Sequence, residues 1–411
     1  MTDAKQVALP YNTTNEISGF EMKIAIVGCG IGGLAVAGFL SDSPHEITLY
    51  DQFESPAPVG SGLVIQPVGL RVLEKLGAAQ QAHAKGAKSY RMMGYEASTK
   101  RKVLDVSYGP RSGPDFGLGI HRTSLFDALL STCTAKGVQI TNAHEITGST
   151  LADNKRTLTF ADSTKSAPYD LVIDASGAGS PLSPLKSKTL PYGAIWGTVN
   201  WPDGTELRYD RLEQRYRHAS NMIGILPVGS LPDSNTPKAA LFWSLPQHKY
   251  TLWRDTPLDH WKTEAKALWP ALAPFVDQIK THDEMTMASY THGTMRIPYS
   301  DALVHIGDAA HRASPQLGQG ANMALLDAYA LAQCLQEYPL KQALPTYHKA
   351  RKRHINLYQA MSWAFTPMYQ SNSRILPLIR NLLLAPTSTI WPVSSILTSL
   401  VKGTMVSPHQ E

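Results

Sequence analysis

Residues 23–51 read KIAIVGCGIGGLAVAGFLSDSPHEITLYD, and this stretch decides the fold. Lys23–Gly28 is a nearly continuous apolar run, rich in β-branched residues and closed by glycine, which predicts a buried parallel strand. Ile31–Leu40 has helical character, and Glu46–Tyr50 predicts a second strand, so the whole is a βαβ unit of about 30 residues. The turn Gly28-Cys29-Gly30-Ile31-Gly32-Gly33 matches G-x-G-x-x-G between that strand and that helix. In this pattern Gly28 allows the tight turn, Gly30 lets backbone approach a pyrophosphate, and Gly33 allows close helix–strand packing. The helix start offers free N–H groups and positive potential to phosphates. Asp51, at the end of the second strand, stands where an acidic residue binds ribose hydroxyls. The stretch therefore predicts dinucleotide binding without choosing between NAD and FAD. Cys29 fills a variable position and reads as a small buried side chain.

A second stretch makes that choice. Residues 304–328 read VHIGDAAHRASPQLGQGANMALLDA. A buried strand ends in Gly307-Asp308, and a loop with Pro315 and Gly318-Gln319-Gly320 leads into a helix containing Asn322 and Asp327. An acidic side chain at a strand's carboxyl end can bond a ribityl or ribose hydroxyl. Glycine-rich backbone at a helix start can donate N–H groups to the pyrimidine edge of a flavin, where negative charge gathers on reduction. His311 reads as a loop-packing residue. The cofactor expectation is FAD.

Working outward, short helices are expected at Gly69–Leu76, ended by Gly77, and at Arg122–Lys136. Strands are expected at Lys100–Tyr108, Val138–Thr141, Thr157–Phe160, Asp170–Ile173 and Ala302–Ile306. Between about Tyr192 and Met295 the texture changes to short aromatic β-rich pieces separated by turns, with two helices near Leu258–Trp269 and Pro274–His282. Gly320–Tyr338 predicts a long helix, and from Leu340 the chain reads as helical and then irregular. The fold expectation is α/β: a discontinuous Rossmann-like FAD-binding domain, an inserted, mostly antiparallel β-sheet substrate domain and a helical C-terminal tail. The FAD-binding domain is assigned residues 22–80, 110–188 and 296–340. The substrate domain is assigned 81–109 and 189–295, and the C-terminal helical region 341–411.

The chain has 411 residues, 43% hydrophobic and 17% charged, with a net charge of +5. The charge fraction falls below the roughly 25% of an average domain, which excludes global disorder and hints at apolar surface used internally or against a membrane. No basic block points to nucleic acid as a partner. Three scattered cysteines, Cys29, Cys133 and Cys334, give no disulfide framework or metal knuckle and point to a reducing compartment, most simply the cytoplasm. No histidine spacing predicts a metal site. Residues 1–21 lack the apolar core of a signal peptide and read as a disordered extension, with Met22 a candidate start. The longest uncharged run, Asn381–Val401, holds Pro386 and Pro392 and is a poor spanning helix, though loose membrane contact through the tail stays open.

On these residues the sequence resembles the flavin monooxygenases of the p-hydroxybenzoate hydroxylase type, including salicylate hydroxylase-like proteins. The resemblance runs in order from about Lys23 to Tyr347. Besides the two motifs it includes Gly60-Ser61-Gly62-Leu63 with Pro67, Leu73-Glu74-Lys75-Leu76-Gly77, His121-Arg122-Thr123-Ser124-Leu125, and Tyr347 with Arg351. It implies that Asp51 binds the adenosine ribose and that Arg122 reaches the FAD phosphates or ribityl chain. Asp308 would hold the ribityl chain, and Gly318–Asn322 would lie against the isoalloxazine. With Gly28, Gly30 and Gly33, Gly62, Pro315, Gly318, Gly320 and Asn322 complete the expected cofactor site. One motif departs: where the family has G-A-D-G-x-x-S-x-V-R, this chain has Asp174-Ala175-Ser176-Gly177-Ala178-Gly179-Ser180-Pro181-Leu182-Ser183, so Ser176 replaces an aspartate and Ser183 an arginine.

The resemblance implies hydroxylation of an aromatic or polyketide-like small molecule through a flavin C4a-hydroperoxide formed with O2, with NADPH or NADH as electron donor. An oxidase, dehydrogenase or non-redox flavoenzyme is the alternative that the altered segment leaves open. The substrate pocket is expected between the β-rich sheet and the flavin, near Pro315. Trp196, Tyr216, Met222 and Trp243 are its candidate lining, each equally readable as ordinary sheet core. No catalytic acid or base stands out, and the oligomeric state stays open.

Overall fold

The computed structural model describes residues 21–55, 61–109 and 115–407. The expected N-terminal extension, apart from its last residue, and Gly60 lie outside the described residues. Lys23–Val27 is an inner strand of a six-stranded sheet ordered Tyr299–Ser300, Leu303–His305, Leu171–Asp174, Lys23–Val27, Glu46–Tyr50, Ile140–Thr141. All pairs are parallel except the Tyr299–Ser300 edge. Ile24 and Ile26 face one side, with Leu34, Leu125, Leu129, Leu325 and Leu331 from the helices Ile31–Leu40, Arg122–Ala135 and Gly320–Glu337. Ala25 and Val27 face the other, against Leu158 and Phe160 of the hairpin Ile146–Ala152 and Lys155–Phe160. Burial on both faces is why these strands read as unbroken apolar runs. Neighbouring strands come from residues 23–27, 171–174 and 303–305, so the α/β unit is discontinuous in sequence.

The second large sheet has eight strands, in the order His311–Arg312, Met285–Thr294, Lys188–Asn200, Lys238–Pro246, Asn221–Gly229, Arg211–Arg217, Arg91–Glu96, Lys102–Ser107. Its pairs are antiparallel except Arg211–Arg217 with Arg91–Glu96. One face, carrying Ile195, Ile223, Ile225, Leu241 and Trp243, packs on Trp253, Trp261 and Phe275 from helices at Tyr250–Asp255, Leu258–Leu268 and Ala273–Val276. The opposite face meets a small sheet of Gly62–Ile65, Gly117–His121 and Ala87–Ser89: Val64 packs with Leu226, Val228 and Ala240. The sequence reading contains neither that small sheet nor the helix Ala79–Lys85. Its strands are short, and Gly62, Gly117 and Gly119 leave little side-chain pattern to detect.

The tail begins with the helix Leu340–Tyr369, continues through short helical turns over 376–387 and ends in Val393–Lys402. It folds back onto the α/β unit. Tyr358 Oη donates to the Leu400 carbonyl at 2.8 Å, and Gln319 Nε2 donates to the Val401 carbonyl at 3.0 Å.

Candidate cofactor and substrate site

Three loops meet at the carboxyl ends of the parallel strands. At Gly28, φ is +99°, and a β-carbon there would sit 2.8 Å from Ser176 Cα. A β-carbon on Gly33 would lie 1.9 Å from the Gly28 carbonyl oxygen, so the helix crosses the strand in contact with backbone. Gly30 differs: nothing among the described residues lies within 4 Å of the position a β-carbon would take. Packing does not require glycine there. The open space lies at the start of the helix Ile31–Leu40, whose first turn has no side-chain cap and no acidic residue. Asp51 is buried and accepts from Cys29 N at 2.8 Å and Phe53 N at 3.0 Å, which fixes the turn. Burial, then Asp51 and Cys133, push the Cys29 thiol up to about 12, so it is a neutral packing group at physiological pH.

The second loop is Gly307–Gly320. Asp308 is accessible to solvent although protein surrounds it. This enclosure pushes its carboxyl above the ordinary range, while His311, Arg122 and Arg312 draw it back. Arg122 is near enough to act on this carboxyl, so the two expected site residues are neighbours. Arg122 starts its helix with its N–H on the Ser61 carbonyl at 2.8 Å. Beneath the loop, buried Asp327 accepts from Gly307 N at 3.0 Å, His311 Nε2 at 2.6 Å and Arg351 Nε at 2.8 Å. Burial alone would raise the Asp327 carboxyl, but His311 and Arg351 outweigh it and hold it well below the usual range. His311 thus anchors the loop to the long helix and to the tail.

Pro315 opens a short turn that ends at Gly318, where φ is +59°, and Gly320 begins the long helix. Asn322 is fully buried: its Oδ1 accepts from Gln66 N at 2.8 Å, and its Nδ2 donates to the Val64 carbonyl at 3.2 Å and the Gly318 carbonyl at 2.9 Å. Its side chain therefore clamps the loop that follows Gly62 to the loop at Gly318. Gln66, which the sequence reading passes over, is fully buried; its Oε1 accepts from Tyr108 Oη at 2.6 Å. Its Nε2 has no hydrogen-bond partner among the described residues and lies 3.2 Å from the β-carbon position of Gly318. The only sequence signal for it is its place just before Pro67, at a helix cap.

The altered segment is the third loop. Asp174 is fully buried; its Oδ1 accepts from Ser176 N at 3.1 Å and Ser176 Oγ at 2.5 Å, and its Oδ2 from Ser180 Oγ at 2.6 Å and His305 Nδ1 at 2.7 Å. Burial opposes ionisation, yet these bonds win and hold the carboxyl below its usual value. Ser183 Oγ donates to the Ala309 carbonyl at 2.5 Å. Asp174 is thus consumed in ordering the turn and does not stand in for the missing aspartate at its surface. Of the two serines that replace charged groups, Ser176 bonds within its own turn and Ser183 ties this loop to the neighbouring one at Ala309.

The four candidate pocket residues do not share one site. A β-carbon on Gly62 would meet Val228 and Ala240, and His121 Nε2 lies 3.2 Å from Thr198 Oγ1, so the face carrying Thr198, Trp196 and Phe242 looks toward the α/β unit. On that face Trp196 stacks against Phe242 at 4.5 Å and donates through Nε1 to Tyr290 Oη at 3.0 Å. Tyr216 and Met222 cluster with Phe242 further along, under the tail residue Tyr369. Trp243 lies on the opposite, helix-covered face, where it borders a separate cleft of about 520 Å³ with Tyr192, Trp253, His260 and Trp261. The sheet register pairs Ile195 with Trp243 and Trp196 with Phe242, and this one-residue offset separates the two tryptophans. His292, also absent from the sequence reading, joins the sheet to the Pro315 loop by accepting from Ser314 N at 2.8 Å, and burial lowers its pKa so that it stays neutral.

A family model described as FAD binding domain matches residues 21–361. The chain belongs to this family. It is 25% identical over 349 residues to the 3-amino-4-hydroxybenzoate 2-monooxygenase of Streptomyces cremeus, covering 78% of this chain and 80% of that protein. It is 26% identical over 388 residues to the salicylate hydroxylase of Pseudomonas putida, covering 85% and 86%. The fold is shared with Klebsiella pneumoniae HpxO, solved with FAD and uric acid, at a TM-score of 0.78, 17% identity and coverage of 94% and 98%. It is also shared with tetrameric 2-methyl-3-hydroxypyridine-5-carboxylic acid oxygenase, at a TM-score of 0.75, 20% identity and coverage of 92% and 96%. The open space at Gly30, the solvent-accessible Asp308 at its strand end and Gln66 Nε2, without a partner among the described residues, fit the cofactor that the family name gives.

Proposed function

We propose that the chain is an FAD-dependent monooxygenase that hydroxylates a small aromatic or polyketide-like molecule, using O2 and NADPH or NADH. Membership of the FAD-binding family supports the cofactor, and relatives such as the Streptomyces cremeus and Pseudomonas putida enzymes support the reaction class. The observation that carries the reading is the convergence of three loops around uncapped helix starts, with an acidic residue at the rim of each of two strands.

The chain's own groups divide the work. The helix start after Gly30 receives the pyrophosphate, where free N–H groups and the helix dipole favour negative charge. Asp51 holds the adenosine ribose with the lone pairs left after its two backbone bonds. Arg122 and Asp308 take the phosphate and ribityl portion. Gly62, Pro315, Gly318 and Gly320 border the ring, and the positive end of the long helix favours negative charge on it. Asn322 positions these loops rather than touching the cofactor. Bound FAD would supply two-electron reduction and oxygen activation, chemistry that no side chain here carries. The face of Trp196 and Tyr290 supplies the apolar wall for the substrate, and closure by the tail excludes water. The domain division rests on the same picture: the parallel sheet and its helices hold FAD, and the large sheet holds substrate.

The test is to purify the protein with its flavin and follow flavin bleaching without oxygen on adding NADPH or NADH, with and without hydroxylated aromatics. Labelled O2 is then admitted. The expected result is aromatic-stimulated bleaching and one labelled oxygen in the product. Bleaching with no labelled product from any aromatic tested would sink the monooxygenase reading.

A further inference from the structure

Among the described residues, fourteen large hydrophobic side chains are exposed, and ten of them lie between Trp363 and Met405. Single exposed hydrophobics are ordinary, but a concentration of this kind marks an interaction surface. Their spacing is ordered. Ile375, Leu378, Ile379, Leu382 and Leu383 are exposed at the i, i+3, i+4, i+7, i+8 positions of one helical face. Pro377, Arg380 and Ser388, on the opposite face, are buried. The segment is amphipathic but points its apolar stripe outward. Arg380 fixes that orientation: it lies over the Tyr216 and Tyr369 rings at 4.9 and 5.2 Å and donates to the Met368 and His218 carbonyls. Trp363 and Trp391, 73% and 79% exposed, precede and follow the stripe in sequence.

The charge pattern selects what covers this face. From Tyr338 to Gln410 the sequence has no aspartate or glutamate and eight lysines and arginines. Lys349, Lys352 and Arg353 are exposed on the solvent face of the helix that also carries Trp363, roughly 15–20 Å away along its axis. A second copy docked through this face would set two acid-free basic segments together, whereas an anionic lipid surface complements them. Among the described residues no helix is long and apolar enough to cross a membrane, so contact lies in the interfacial plane. We propose that the segment Ile375–Trp391 is a docking face for an anionic phospholipid bilayer surface, with Trp363 and Trp391 at headgroup depth. The inference does not rest on the monooxygenase reading.

The experiment is cosedimentation of the full-length, FAD-loaded protein with vesicles of phosphatidylglycerol and phosphatidylcholine, against phosphatidylcholine alone. Binding to the anionic vesicles is expected, weakened in roughly 0.5 M salt because surface charges are then screened. The triple variant Leu382→Ser, Leu383→Ser, Trp391→Ser should weaken it about tenfold or more while keeping flavin content and melting temperature, since all three side chains are exposed. Absence of binding to anionic vesicles, or equal binding by the triple variant, overturns the proposal. So does a concentration-dependent dimer that the triple variant abolishes, which would make a second copy the occupant.

Discussion

The cofactor loops and the large sheet are built on different principles. In the loops, position is set by backbone: Gly33 touches the Gly28 carbonyl, and Asp51, Asp174, Asp327 and Asn322 hold backbone or short side-chain partners at fixed distances. In the sheet, position is set by which face a side chain takes, and one residue of register decides between a wall facing the α/β unit and a core facing helices. Backbone-specified sites leave residue types in the sequence that nothing else can replace. Face-specified sites leave only hydrophobic residues, which look alike on both sides.

The sharpest way to break this comparison is the tryptophan pair. Trp243→Ala removes a ring that is 2% exposed among Trp253 and Trp261, so it should cost about 3–5 kcal/mol of stability and leave substrate preference unaltered. Trp196→Ala, at a half-buried position on the inner face, should cost less stability and raise KM for the aromatic substrate. Urea unfolding and steady-state kinetics read the two effects. A substrate-selective defect in Trp243→Ala with normal stability would reverse the assignment of faces.

Within the loops a second pair separates packing from binding. Gly33→Ala forces a carbon against backbone and should destabilise by about 3 kcal/mol with or without flavin. Gly30→Ala meets open space, so the flavin-free protein should lose no more than about 1 kcal/mol, mostly from the poorer helix cap, while FAD binding weakens. Thermal melts of both forms with and without FAD distinguish them; equal losses in the flavin-free melts would show that the Gly30 space is not a ligand cradle.

Legibility in the sequence follows the same division. The helix Ile31–Leu40, the strand Glu46–Tyr50 and the left-handed cap at Gly77 are where their residues predict, because glycine at a turn and a doubly buried strand each have one physical explanation. The long helix of the second motif also begins at its expected residue, Gly320. The small sheet of Gly62–Ile65, Gly117–His121 and Ala87–Ser89 was not legible, since its strands are short, glycine-rich and joined over long sequence gaps. Gln66 and His292 were not legible either. Each gains its role from a partner far along the chain, Asn322 for one and Ser314 for the other. Trp196 and Trp243 were legible as sheet residues but not as residues of opposite faces, because register comes from pairing.

Asp308→Ala should leave the flavin-free fold nearly intact and weaken FAD binding by roughly 1.5–3 kcal/mol, the value of a hydrogen bond to a charged group. Equilibrium dialysis against FAD measures it. An unchanged affinity would mean that this solvent-accessible carboxylate does not serve the cofactor. Asp308→Asn should retain part of the affinity, since the amide oxygen still accepts.

The smallest expected effect is on pH dependence, where the carboxylates have opposite signs. Asp174 and Asp327 are held below their usual values, so the native state keeps them ionised where the unfolded chain would take up protons. Their contribution is complete above the unfolded carboxylate value near 3.9 and fades as pH falls from there toward their folded values. Asp308 in the flavin-free protein is shifted upward, so its contribution is present at low pH and is lost as pH rises through its folded value. Above the unfolded carboxylate value the two buried aspartates add no slope to stability, whereas Asp308 adds a falling one across its own window. As pH rises through the Asp308 window, the Asp308→Asn variant should gain stability, read as its unfolding midpoint, relative to the flavin-free wild type. This difference cancels the opposite contribution of His83, His121, His292 and His348, whose values burial lowers. A pH-independent difference for Asp308→Asn, with a pH-dependent one for Asp327→Asn instead, would place the titrating group in the buried anchor rather than at the strand end.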